Sequence, residues 1–139
     1  MQVEENVEYI LSKDADGHTL SGDKNYLFHL PPNIPAKDYW SVIVYDSLTN
    51  LIIKNSQSWP SVYPTSKRLV VKKDGSIDIW IGPEAPSGEK KNWIQTVPGK
   101  SWTIILRLYG TMNSWFDKSW KPGEITAISD SQKKLKTSI

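Results

Sequence analysis

Two histidines, His18 and His29, and no cysteine are what the chain offers for nucleophilic or thiolate chemistry. Serine or cysteine catalysis needs a base beside the nucleophile, oriented by a third group, and no motif here sets up that arrangement. His18 falls in a turn and reads as solvated. His29 falls in a strand among apolar neighbours, where a packed or hydrogen-bonded histidine is commoner than a catalyst. The two are separated by a turn and lack a metal-ligand spacing. Asp14-Ala15-Asp16-Gly17 superficially resembles a calcium loop, which needs glycine at position six and glutamate at position twelve. Those places hold Thr19 and Asn25, so the stretch reads as a structural turn. Asp46, Asp78 and Glu84 could converge as paired carboxylates only if strand pairing brings them together. No glycine-rich loop leads into a helix, so a nucleotide has no seat. The expectation is no metal and no cofactor.

Binding chemistry remains. Arg107 stands between Leu106 and Leu108 and shares a strand face with Ile105 and Tyr109. A guanidinium stays charged, and burying it unpaired is very costly. It must reach an acid or open onto a wet pocket. A carboxylate on a neighbouring strand, Asp46 or Asp78, suits its planar fork, and a pair that fixes strand register is the simpler alternative to an anion pocket. The chain also carries seven tryptophans and six tyrosines against two phenylalanines. Tryptophan and tyrosine join a large apolar body to a polar handle, so most pack cores while a few serve half-wet grooves. Trp59, Trp80 and Trp93 are the best placed to stack on a sugar ring or pack against a partner. The candidate ligand-binding set is Arg107, Tyr109, Tyr45, Asp46, Trp59, Trp80, Trp93 and His29.

The elements that position these residues are strands. Trp102 to Tyr109, introduced by Val97-Pro98-Gly99-Lys100 and closed by Gly110, is the longest strand signal and should be internal to a sheet. Its even positions, Trp102, Ile104, Leu106 and Leu108, are wholly apolar. Further strands are expected over Val7 to Leu11, Asn25 to Leu30 and Tyr39 to Tyr45, the last turning at Asp46 into Leu51-Ile52-Ile53. Pro31-Pro32-Asn33-Ile34-Pro35 must leave the sheet. Arg68 to Lys72, Lys73-Asp74-Gly75 and Ser76 to Ile81 form the clearest hairpin, with Ile77, Ile79 and Ile81 on one face and Asp78 and Trp80 on the other. Gln57 to Ser66 reads as a long loop and a candidate binding segment; Gly82 to Lys91 is a second, charged one. One helical turn is expected over Met112 to Asp117. Seven or eight short strands with proline-containing crossovers predict an all-β, jelly-roll-like antiparallel β-sandwich.

At 139 residues the chain suits one domain, here 1–128, with a flexible carboxy-terminal tail over 129–139. The tail has little to bury. A formal charge of +2 is near neutral, and of seventeen basic residues Arg68 and Arg107 alone are arginines. That balance argues against nucleic acid as a partner. No stretch approaches the roughly 20 apolar residues of a membrane span, and the first residues lack the basic and apolar regions of a signal peptide. The expectation is a soluble chain of open compartment and oligomeric state.

The sequence resembles the domain of unknown function numbered 1214. The resemblance rests on Asp14-Ala15-Asp16-Gly17, on Leu30-Pro31-Pro32 through Tyr39-Trp40-Ser41-Val42-Ile43-Val44-Tyr45-Asp46, and on Lys73-Asp74-Gly75-Ser76-Ile77-Asp78-Ile79. It continues through Gly82-Pro83, Asn92-Trp93-Ile94-Gln95-Thr96-Val97-Pro98-Gly99-Lys100 and Leu106-Arg107-Leu108-Tyr109-Gly110, covering about residues 9 to 126. The resemblance implies a jelly-roll-like sandwich, usually found behind the domain of unknown function numbered 1254, and no established activity. The reading is a non-catalytic module that binds a small molecule or glycan, or packs against a companion domain. The alternative is a hydrolase-like enzyme domain whose active site a companion domain completes.

Overall fold

A computed structural model of the protein describes residues 6–52, 61–64, 69–84 and 92–128. In chain order the elements are β1 (Val7–Leu11), β2 (Asn25–Leu30), β3 (Ala36–Asp46), β4 (Ser61–Val62), β5 (Ile77–Gly82), β6 (Trp93–Gln95), β7 (Trp102–Thr111), α1 (Asn113–Phe116) and β8 (Ile125–Ile128). They form two four-stranded sheets, ordered β1-β7-β3-β4 and β6-β5-β2-β8. The chain passes from one sheet to the other after β1, β2, β4, β6 and β7, which excludes a simple meander. The fold is an all-β sandwich with one short helix.

The apolar alternation of β7 determines its place. Trp102, Ile104, Leu106 and Leu108 are fully buried against the opposite sheet, while Thr103, Ile105, Arg107 and Tyr109 remain half-buried on the outer face. β1 pairs with β7 on one side along Ile104 to Leu108, and β3 on the other along Trp102 to Tyr109 and at Thr111. Across the interior, Tyr26 of β2 meets Trp102 edge-on at 5.3 Å between ring centroids. Phe28, Leu30, Ile79, Ile81 and Ile94 complete the second sheet's contribution to the core.

Several expectations are corrected. The sheets are not wholly antiparallel, because β6 runs parallel to β5. The turn at Lys73-Asp74-Gly75 forms, with Gly75 at φ +89° and Lys72 N–H bonded to the Ser76 carbonyl at 2.9 Å. Its first arm does not continue as a strand over residues 69–72. Instead the Asn92 amide bonds both the N–H and the carbonyl of Val70, taking over the ladder's role there. Leu51-Ile52 contributes one bridge, Tyr45 to Ile52, rather than a strand. Ser61 and Val62, inside the expected long loop, pair with β3. Ile53, Trp59, Arg68 and the carboxy-terminal tail lie outside the described residues.

Candidate functional site

Three members of the sequence-derived set meet on the outer face of the first sheet. Arg107 and Tyr109 alternate outward on β7, and Tyr45 does the same on β3. The partner of Arg107 is neither Asp46 nor Asp78. It is Glu8 on β1, directly opposite in register, with Nε donating to Oε2 at 2.6 Å. The Arg107 carbon Cζ lies 5.9 Å from the Tyr45 ring centroid, within reach of a cation–π contact. Burial alone would lower the guanidinium's pKa, but its hydrogen bond to the Glu8 carboxylate reverses this and holds the proton more firmly than usual. Tyr39, cross-strand from Tyr109, packs against it at 5.9 Å and against Tyr63 at 6.3 Å. Burial, then the two neighbouring phenols, pushes the Tyr39 hydroxyl's pKa up. The result is a flat tyrosine-rich face.

The outer face of the second sheet carries His29, Asp78 and Trp80. His29 and Asp78 are cross-strand partners, and Nδ1 sits 2.6 Å from Oδ1. Lys72 holds the other carboxylate oxygen at 2.5 Å. Burial opposes the Asp78 charge, yet the bonds from His29 and Lys72 outweigh it and lower its pKa. A carboxylate on Nδ1 fixes the orientation of the imidazole ring. The ring is 42% exposed on an open sheet face, where water is not kept out.

Asp46 and Trp93 are each engaged within the fold. The Asp46 carboxylate closes the turn after β3 by accepting the Leu48 N–H at 2.9 Å, and Lys100 Nζ lies 3.3 Å away. The Leu48 bond, helped by Lys100, lowers its pKa. Trp93 is buried, and its indole N–H donates to the Gly82 carbonyl at 3.1 Å, so its polar handle is used internally. Asp14, Asp16 and His18 bring ligand atoms within 4.8 Å of one another. The Asp14 carboxylate is engaged by the backbone N–H groups of Asp16 and His18 at 2.9 and 3.0 Å, the geometry of a closed turn.

A concave aromatic feature among the described residues involves none of that set. A cleft of about 560 Å³ opens beside β1, the edge of one sheet, where α1 and the chain leading to β8, the edge of the other, close over it. Tyr9 meets Trp115 edge-on at 5.3 Å, and Trp115 lies 6.3 Å from Trp120. The Trp120 indole N–H is turned away to the carbonyls of Pro31 and Pro32, at 3.2 and 3.1 Å, which fixes the ring. Phe116, 42% exposed, and Pro122 extend the apolar wall. Lys118, Lys121 and Glu124 line the same cleft and are exposed. Such a cleft can take a flat ring against aromatic faces and hydrogen-bond its edge. One sequence signal is available: Trp115, Phe116, Lys118, Trp120 and Lys121 crowd into seven consecutive positions.

The fold and these surfaces define an all-β sandwich module with an aromatic cleft at one edge. By sequence, the chain belongs to the family described as protein of unknown function (DUF1214), whose characteristic pattern matches residues 5–113. The fold is similar to that of the VPA0106 protein from Vibrio parahaemolyticus, with a TM-score of 0.75 and 24% identity over 91% of this chain and 31% of that one. It is also similar to an uncharacterized protein from Burkholderia cenocepacia, with a TM-score of 0.51 and 13% identity over 87% of this chain and 34% of that one. The chain therefore spans about a third of each of these relatives. No curated protein matches it.

Proposed function

We propose that this jelly-roll-like sandwich is a non-catalytic binding module that receives a saccharide ring in the cleft walled by Tyr9, Trp115, Phe116 and Trp120. The observation that carries the reading is a concave space of about 560 Å³ bounded by amphipathic rings, a volume within the range of small-molecule sites. Indole and phenol faces stack on the C–H faces of a sugar, while lysine and carboxylate groups at the rim meet its hydroxyls. The His29–Asp78 pair is not among the cleft's lining residues and takes no part in this binding. Titration of the purified chain with a panel of soluble glycans should change its tryptophan fluorescence, and Trp115→Ala should abolish the change. A panel that leaves the fluorescence unmoved overturns the reading.

A second reading rests on a different observation. Ile10 is 58% exposed and Tyr39 37% exposed on the outer face of the first sheet, and the chain covers only 31% and 34% of the two solved relatives. This face would then pack against a companion domain. Native mass spectrometry showing the isolated chain to be self-associated, and Tyr39→Lys returning it to a monomer, would favour that role; a monomeric chain would count against it.

A further inference from the structure

The rim of the cleft carries two ammonium groups and one carboxylate, Lys118, Lys121 and Glu124. Among the described residues neither lysine has an acid within ion-pair distance. Lys118 is further distinguished by its backbone. It follows Asp117, the C-cap of α1, and lies at φ +64°. That left-handed position after a helix is the one glycine or asparagine ordinarily takes, because a Cβ is strained there. The other non-glycine residues with positive φ among the described residues are Asn33, Asn50 and Asn92. Among the described residues Lys118 is thus the one lysine placed where the fold elsewhere uses asparagine, and it is also at the cleft.

From this conjunction we infer that the cleft selects a carboxylate-bearing saccharide, with Lys118 as the specificity-determining cation, Lys121 supporting it and Glu124 accepting a sugar hydroxyl. The inference rests on the saccharide reading and deepens it. Backbone strain retained at a binding rim is intelligible when the residue's side chain is what the site needs. A charge-assisted hydrogen bond from one ammonium at an open rim supplies about a tenfold preference.

The test compares trigalacturonic acid with its fully methyl-esterified form, which keeps the rings and removes the charge, by fluorescence titration of the chain and two variants. The acid should bind about tenfold more tightly than the ester. Lys118→Gln should erase the preference, weakening acid binding about tenfold more than ester binding, with the denaturation midpoint unmoved. Lys118→Gly should erase it too and raise the denaturation midpoint, because glycine relieves the left-handed strain. Equal affinity for acid and ester, or a preference that survives Lys118→Gln, overturns the inference and leaves the saccharide reading standing. If the wider glycan panel and both probes fail to bind, the saccharide reading falls and takes the inference with it.

Discussion

Glu8 and Arg107 face each other across β1 and β7, joined by a single hydrogen bond of 2.6 Å from Nε, with the arginine side chain 29% and the glutamate 55% exposed. This is a surface pair, not the buried clasp that an arginine between two leucines suggests. Water and salt screen it. A double-mutant cycle of Arg107→Ala and Glu8→Ala should therefore give a coupling of about 0.2–1 kcal/mol, shrinking as salt is added. A coupling of several kcal/mol would mean the pair is far better shielded than its exposure indicates.

Leu106 is expected to behave differently from its neighbour Arg107. It is fully buried in the centre of β7, and its truncation leaves a cavity that rigid flanking strands cannot close. Leu106→Ala should cost about 2–5 kcal/mol by urea denaturation.

The cross-strand pair His29–Asp78 makes the second sheet sensitive to acid. The folded pKa of Asp78 lies below the ordinary 3.8, so its contribution is fully present above that value and is lost as pH falls through the lower folded one. Stability should decline on acidification through and below the usual carboxylate range. Asp78→Asn should flatten that part of the profile. An unchanged acid limb would remove Asp78 from its cause.

Gly22 is fixed by its neighbours rather than by its own dihedrals. Its N–H donates to the Lys100 carbonyl at 2.8 Å, and its carbonyl accepts the Thr96 hydroxyl at 3.0 Å. A Cβ there would collide with the Val97 carbonyl. Gly22→Ala should destabilise by about 1–3 kcal/mol, because backbone on the far side must move. A variant as stable as the parent would show that the 96–100 turn yields freely.

The strands were legible wherever burial writes a period into the sequence. Trp102 to Leu108 declares its inner face by alternation, and Asn25–Leu30 is bounded as the pattern suggests. Pairing order leaves no such trace, so the pattern alone points Arg107 to Asp46 or Asp78 while the fold supplies Glu8. Parity also misleads in short elements. Trp93 points outward by alternation in a three-residue strand, yet its ring is covered and its N–H satisfied. The cleft escaped because it depends on Tyr9 meeting Trp115, residues from opposite ends of the described chain that only the packing of α1 beside β1 brings together.

The position of β1 also constrains how the molecule is made. Glu8 and Arg107 are separated by 99 positions, so the edge of the first sheet cannot be laid down until nearly the whole described chain has emerged. Closing so long a loop is entropically expensive and favours slow folding. Meanwhile the edge of β7 that β1 will occupy, along Ile104 to Leu108, presents unpaired backbone N–H and C=O groups, an invitation to intermolecular pairing. Pulse-labelled hydrogen exchange during refolding should find the β1 amides protected last, after those of the β2–β5 pair. The narrow interval before that docking is when this protein is most exposed to aggregation.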